Sequence, residues 1–305
     1  MDLRSRIHGS LLGLATGDAV GTTLEFTRNP PPIDDMVGGG PFGLKPGQWT
    51  DDTSMALCLA DSLVTCNRFD PADQMRRYVR WHDEGYLSST GRCFDIGSTT
   101  RSALAAFVRT GEHFAGSLAP DAAGNGSLMR LAPIPLWFRD DPEAAIDYAR
   151  HSSLTTHGAR EAVDACRFYT GLIIGALQGL PRETLLGPRF SPVAGLWERD
   201  PLAPKIDAIA AGFYHQKARR QIRSGGYVVE SLEAALWGFA NAPNFRDGCL
   251  AVVNLGHDAD TCGAIYGQLA GAYFGVDGIP AEWRAKLALP EILTRLADGL
   301  VRASA

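Results

Sequence analysis

The apolar residues of this chain return at the helical period along almost its whole length, and this regularity leaves little room for a sheet. Over 6–20 it puts Ile7, Leu11, Leu14 and Ala15 on one stripe; over 53–64 it does the same with Met55, Ala56, Leu59 and Leu63. The same spacing predicts helices over 71–81, 99–109, 142–150, 158–177, 206–222, 228–240, 245–253, 261–274 and 290–302. Alternating runs of the kind a half-buried strand needs are almost absent. The expectation is an all-α fold of ten or so helices in a single compact domain over residues 1–305.

Two stretches interrupt the pattern. Residues 27–49 carry Pro30-Pro31-Pro32, Gly38-Gly39-Gly40, Pro41, Gly43 and Pro46-Gly47. A structureless run of that length is more often a lid or binding loop than a passive connector, so an active-site loop is expected there. The second, 180–204, holds five prolines and reads equally as a surface wrap or a substrate rim.

Acidic pairs carry the chemistry. Thr50-Asp51-Asp52-Thr53 stands at the start of one expected helix and His257-Asp258-Ala259-Asp260-Thr261 at the start of another, some two hundred residues later. Either could be ordinary capping, with Thr50 or Asp51 as the cap and the carboxylates favoured by the helix dipole. The repeat of Asp-plus-Thr at two helix ends points instead to one cluster of hard oxygen ligands, suited to magnesium, manganese or calcium rather than zinc. Glu25, after Gly17-Asp18-Ala19-Val20-Gly21, sits where a helix breaks into the long loop; alone it reads as an exposed loop glutamate.

Gly263, Gly267, Gly271 and Gly275 recur every fourth residue after Asp260. Each costs a helix about 1 kcal/mol against alanine, so the stripe implies a close backbone approach that holds the Asp258–Asp260 turn in place. Two glycine-bearing turns, Gly124-Asn125-Gly126-Ser127-Leu128-Met129-Arg130 and Asp95-Ile96-Gly97-Ser98-Thr99-Thr100-Arg101, could offer backbone N–H groups to a phosphate. Neither has the lysine or spacing of a P-loop. His157, judged alone, reads as a capping or core histidine.

Composition sets the remaining bounds. The chain is 45% hydrophobic and 21% charged with a formal charge of −5, which lacks the basic footprint of a nucleic-acid binder. Six scattered cysteines form no C-x-x-C pair and read as reduced thiols. The apolar run 11–15, between Asp2 and Asp18, does not read as a signal peptide, and no stretch reads as a membrane span. A cytoplasmic protein is expected.

Taken together, residues Gly13 to Glu25, Gly47-Gln48-Trp49-Thr50-Asp51-Asp52-Thr53, Gly124 to Pro133 and Asp258-Ala259-Asp260-Thr261 resemble the ADP-ribosylglycohydrolase family over essentially the whole chain. The resemblance implies an all-α fold with a binuclear Mg2+ or Mn2+ centre held by Thr50, Asp51, Asp52, Asp258, Asp260 and Thr261. It implies catalytic roles for Glu25, on a flap beside the metals, and for Asp95, beside the ribose. It implies that Gly97, Ser98, Asn125, Gly126, Ser127 and His157 hold the ADP-ribose. Ser98 stands where asparagine is expected, and His257 where a smaller or acidic residue is usual. The implied activity is hydrolysis of the glycosidic bond between ADP-ribose and an acceptor borne by a protein or small molecule, foremost ADP-ribosyl-arginine. An arginine guanidinium is a good leaving group, and the motifs contain no unambiguous general acid. The alternatives are ADP-ribosyl-serine, O-acetyl-ADP-ribose, cleavage of the diphosphate, or binding without catalysis.

Overall fold

In the computed structural model, which describes residues 1–303, helices account for all the regular structure; the only pairings between extended segments are isolated bridges. In chain order the α-helices are α1 (Leu3–Gly21), α2 (Asp51–Cys66), α3 (Pro71–Glu84), α4 (Ser98–Thr110), α5 (Pro133–Trp137), α6 (Pro142–Leu154), α7 (Arg160–Leu177) and α8 (Arg182–Leu185). They continue with α9 (Leu196–Arg199), α10 (Pro204–Ala210), α11 (Val228–Asn241), α12 (Phe245–Val253), α13 (Ala259–Phe274), α14 (Ala281–Lys286) and α15 (Pro290–Arg302). Local chemistry sets several boundaries. Asp70 and Asp141 accept the backbone N–H of Asp73 and Ala144 at the starts of α3 and α6, and each helix has proline in its first turn. Left-handed Gly85 and Gly111 close α3 and α4.

The centre of the molecule is α13, buried from Ala259 to Ala272 and surrounded by α1, α7, α11 and α12. Its glycine stripe meets a second one. Gly9, Gly13, Gly17 and Gly21 of α1 run antiparallel to Gly271, Gly267, Gly263 and Ala259. A Cβ added at Gly17 would lie 2.0 Å from the Gly263 carbonyl oxygen, and one at Gly267 would lie 2.0 Å from that of Gly13. No side chain fits at such distances, so the two backbones touch along four turns. The C-terminal end of α1, with Asp18, is thereby fixed beside the N-terminal end of α13, with Asp258 and Asp260.

One expected helix is wrong. Residues 206–222 form α10, then two 3-10 turns at Phe213–Gln216 and Arg219–Gln221. Gly212 at φ +88° breaks the run, and Ile206, Ile209, Tyr214 and Ile222 are buried from separate short pieces rather than from one helix face.

The loop 27–49 is tied down along most of its course. Asn254 both donates to and accepts from the backbone of Ile33; the Trp283 indole donates to Asp35; Met36, Leu44 and Trp49 are buried. The stretch 180–204 wraps α7 from outside, burying Leu185, Leu196 and Trp197, while Arg167 of α7 pairs with Asp200 at 2.6 Å. It contributes nothing to the main cavity. All six cysteines are free thiols, and no helix of the described residues is long and apolar enough to cross a membrane.

Candidate active site

The start of α2 is capped from another helix. Asp18, fully buried on α1, accepts the backbone N–H groups of Thr50 and Thr53, each at 3.0 Å, and both threonine hydroxyls, at 3.0 and 2.6 Å. This satisfies the donors that an N-cap side chain would normally take, and Thr50 makes no capping bond of its own. Asp258, at the cap position of α13, makes none either. Capping by Thr50 or Asp51 is therefore overturned, and the carboxylates of Asp51 and Asp52 are left for other work.

Those carboxylates converge with the second pair. The Thr50 hydroxyl lies 3.0 Å from Asp18, 3.1 Å from Asp52 and 3.2 Å from Asp260, yet it has one proton to give. Thr261 donates to Asp52 at 3.4 Å. Glu25 is only 3% exposed, and oxygens of Glu25, Asp95 and Asp260 all lie within 4.8 Å of one another. It is held there because Phe26 N–H donates to the His257 carbonyl at 2.6 Å and His257 N–H to that of Thr27 at 2.9 Å. This splints residues 26–27 to the turn before Asp258. Phe26, Asp95 and His257 all take left-handed backbone conformations, at φ +57°, +61° and +58°. For a bulky residue such as Phe26 this is strain, of the kind that clusters at functional sites.

Seven carboxylates thus share one region: Asp18, Glu25, Asp51, Asp52, Asp95, Asp258 and Asp260. Among the described residues, no lysine or arginine pairs with any of them. Burial, then neighbouring carboxylates, push Asp51, Asp52 and Asp260 well above the usual carboxylate range. Burial and the Asp95 charge push Glu25 up to about 11. Burial also raises Asp95 to about 7, and Asp18 to about 6 against the pull of its four hydrogen bonds. Glu25 Oε2, Asp52 Oδ1 and Asp260 Oδ1 are buried without any hydrogen-bond partner. Unpaired buried anions are too costly to persist, so the cluster must hold protons or cations. An all-oxygen set of carboxylates and hydroxyls fits a hard divalent cation.

The cluster opens into a cavity of about 560 Å3. Glu25, Asp51, Asp95, Asp258 and Thr261 line its acidic end; Gly97, Ser98, Asn125, Gly126 and His157 line the rest. Thr50, Asp52 and Asp260 lie deeper, beneath that lining. Ser127 does not reach the cavity: its hydroxyl accepts from Ser153 at 2.8 Å and from the Cys166 thiol at 3.5 Å in the core. The glycine turn 124–127 is strapped to the chain by Asn125 N–H donating to Gly226 and Val228 N–H to Ala123, each at 3.1 Å. Asn125 Nδ2 reaches across to Asp258 at 2.6 Å, linking this turn to the acidic end. The first turn of α4, with no side-chain cap, faces the cavity beside exposed Arg101. Phe26 and Phe42 stand at the mouth, ring centroids 6.3 Å apart, with Phe94 packed 5.1 Å from Phe42.

The residues missed from sequence are Asp18, Thr53 and the α1 glycine stripe. The last was visible as Gly9, Gly13, Gly17 and Gly21, at the same spacing as its partner. Asp18 could have been found as the single acid in an otherwise small and apolar stretch of helix.

Comparison with known proteins agrees with this geometry. A family model described as ADP-ribosylglycohydrolase matches residues 1–305. An ADP-ribosylarginine hydrolase Tri1 of Pseudomonas putida is 48% identical over 97% of this chain and 77% of that protein. The ADP-ribosyl-[dinitrogen reductase] glycohydrolase of Rhodospirillum rubrum is 32% identical over 93% of this chain and 91% of its own. A solved structure described as an ADP-ribosylglycohydrolase-related protein complex superposes with a TM-score of 0.87 at 42% identity, covering 100% of this chain and 99% of that one. With whole-length matches in sequence and in fold, and an acidic cluster at the junction of α1, α2 and α13, this chain belongs to the ADP-ribosylglycohydrolase family.

Proposed function

We propose that the chain hydrolyses the bond between ADP-ribose and an arginine guanidinium, using two divalent cations, Mg2+ or Mn2+, held by Thr50, Asp51, Asp52, Asp258, Asp260 and Thr261. The observation that carries this reading is the set of unpartnered carboxylate oxygens on Glu25, Asp52 and Asp260, gathered beneath a cavity large enough for a nucleotide sugar. Bound cations would offset the buried charge and supply electrophilic stabilisation to the sugar hydroxyls.

The chain's own residues supply the rest. Glu25 and Asp95 bring carboxylate oxygens within 4.8 Å of each other and of Asp260, and either one, when ionised, can accept a proton from the attacking water. Water oxygen bonds to the anomeric carbon as the carbon–nitrogen bond breaks, through an oxocarbenium-like state. The bond pair leaves with the guanidine, which takes a proton and departs as guanidinium. The open first turn of α4, with Arg101, provides N–H donors and positive charge for the diphosphate. At the mouth, the Phe26 and Phe42 rings beside Glu25 and Asp95 make an anionic, aromatic rim that favours a cationic acceptor over a serine or an acetyl ester. The names of relatives in Pseudomonas putida and Serratia proteamaculans, both ADP-ribosylarginine hydrolases, support the same acceptor.

The test is product analysis on ADP-ribosyl-arginine, ADP-ribosyl-serine and O-acetyl-ADP-ribose, with Mn2+ or Mg2+ and with EDTA. Free ADP-ribose from the arginine adduct, abolished by EDTA, is expected. AMP as product, or turnover indifferent to EDTA, would overturn the mechanism; turnover confined to the other two substrates would overturn the acceptor.

A further inference from the structure

Behind the glycine turn and His157, one side chain is buried with the reverse problem. Arg130 is fully buried and, among the described residues, pairs with no carboxylate. Its guanidinium donates to the Gly126 carbonyl at 2.6 Å, to the Thr156 hydroxyl at 2.7 Å and to that of Thr155 at 3.3 Å, and lies over the Tyr78 ring. A buried cation without a counter-ion is costly, and its two shortest contacts, with Gly126 and Thr156, lead back to the turn and the histidine that wall the cavity.

One arrangement of the hydrogen bonds there gives every buried proton a partner. A guanidinium can only donate, so Thr156 Oγ1 accepts from Arg130. The hydroxyl has one proton, and the acceptor in reach is His157 Nδ1, at 2.8 Å. Were Nδ1–H instead to donate to the second lone pair of that hydroxyl, the buried Thr156 proton would have no acceptor among the described residues; with Nδ1 as acceptor, the ring proton sits on Nε2. That edge of the ring lies against Gly124 and Gly126: a Cβ built on Gly126 would stand 2.7 Å from His157 Cε1, and one on Gly124 3.3 Å from Nε2. The two glycines thus make room for the imidazole at the cavity wall. Burial, then the Arg130 charge, lowers the His157 pKa to about 3, in keeping with a ring that is never cationic near neutrality.

We propose that Arg130, acting through the Thr156 hydroxyl, is a positioning residue that locks His157 in its neutral Nε2–H tautomer, so that the ring always presents a donor to a phosphate oxygen of the substrate. The tautomer lock stands on the need to pair the buried Thr156 hydroxyl proton; the phosphate acceptor rests on the ADP-ribose reading given above. Without the relay, a neutral histidine is free to put its proton on Nδ1 and turn a lone pair towards the anion, replacing an attraction by a repulsion.

The experiment is nitrogen NMR on protein labelled at histidine, with His157→Gln identifying the signal, joined to kinetics and ADP-ribose titration of Thr156→Val and Thr156→Ser. Wild-type protein is expected to show His157 neutral and protonated at Nε2 from about pH 5 to about pH 9. Thr156→Val is expected to lose that single form and to weaken ADP-ribose binding and raise KM about tenfold, with a much smaller change in kcat; Thr156→Ser restores both. A wild-type ring protonated at Nδ1, or charged at neutral pH, overturns the proposal even if no variant folds. So does a Thr156→Val protein with the wild-type spectrum and affinity, or a Thr156→Ser protein as weak as Thr156→Val. If the spectra behave as expected but no protein binds ADP-ribose, the lock stands and the failure falls on the substrate reading.

Discussion

The acidic end of the cavity and the wall behind His157 solve opposite electrostatic problems by opposite means. At one end, seven carboxylates are gathered with no basic side chain to pair them, and three of their oxygens have no hydrogen-bond partner. At the other, Arg130 is buried with no acid, yet its contacts run in a closed chain through Thr156 to His157. The acidic end is incomplete until protons or cations enter; the basic end is organised before any ligand arrives. Asn125, on the glycine turn and bonded to Asp258, joins them. A substrate whose sugar hydroxyls meet cations at one end and whose phosphates meet fixed donors elsewhere would span the two.

The sharpest way to break this contrast is Asp260→Asn. It removes a carboxylate from the incomplete end while keeping its shape, and should lower cation-dependent hydrolysis by roughly a thousandfold or more. The same variant should make the cation-free protein more stable at neutral pH, because one buried like charge is gone. Steady-state assays and thermal melts after EDTA dialysis read the two effects. A variant that loses activity but also loses cation-free stability would mean that Asp260 is structural. Asn125→Ala tests the link between the ends: loosening Asp258 should weaken Mn2+ binding by about ten- to a hundredfold, measured by calorimetric titration.

The two ends should also respond to pH with opposite slopes. Asp18, Asp95 and Glu25 have folded pKa values of about 6, 7 and 11 against ordinary values of 3.8, 3.8 and 4.5. Each binds protons more tightly in the folded state, so its contribution to stability is present below the ordinary value and is lost as pH rises towards the folded one. His157 runs the other way. Its pKa falls from 6.5 to about 3, so stability is gained as pH rises through that interval and is flat above it. Above about pH 6.5 only the acidic slope remains, and EDTA-dialysed protein should melt at steadily lower temperature as pH increases. Saturating Mn2+ should flatten the decline, since cations hold the carboxylates ionised. A cation-free protein whose melting temperature rises from neutral to alkaline pH would contradict the acidic end as drawn.

Sequence reading reached these ends unequally. Asp51–Asp52 and Asp258–Asp260 were legible because each pair carries its oddity locally: adjacent acids beside threonine at a helix start. The long helices were legible because their apolar faces repeat at a fixed period, and the 206–222 error arose where Gly212 splits that period without disturbing it. Asp18, Arg130 and Thr156 were not assigned roles, because a lone polar residue gains its meaning from partners remote in the chain. Asp18 matters through a helix end over thirty residues away; Arg130, through a turn that only the packed fold brings beside it. The glycine stripe of α13 revealed a close approach, but not that α1 makes it.

The smallest expected effect bears on the rim, where the acidic end meets solvent. Phe26 is 67% exposed and packs loosely, so Phe26→Ala should cost little stability. If its ring lies against a departing guanidinium, its loss removes about 0.5–1 kcal/mol of cation–π attraction at an exposed site, which is roughly a two- to fivefold rise in KM for ADP-ribosyl-arginine. ADP-ribosyl-serine, with no cation to lose, should show no such rise, and Phe26→Tyr, which keeps the ring, should restore the arginine value. Competition between the two substrates in one assay makes a change of that size readable. An equal rise for both would assign the ring to holding Glu25 through its strained backbone rather than to choosing the acceptor. Selectivity would then have to come from the carboxylates of Glu25 and Asp95 alone, whose attraction for a guanidinium falls as salt is raised, whereas a contact with the ring is far less sensitive to it.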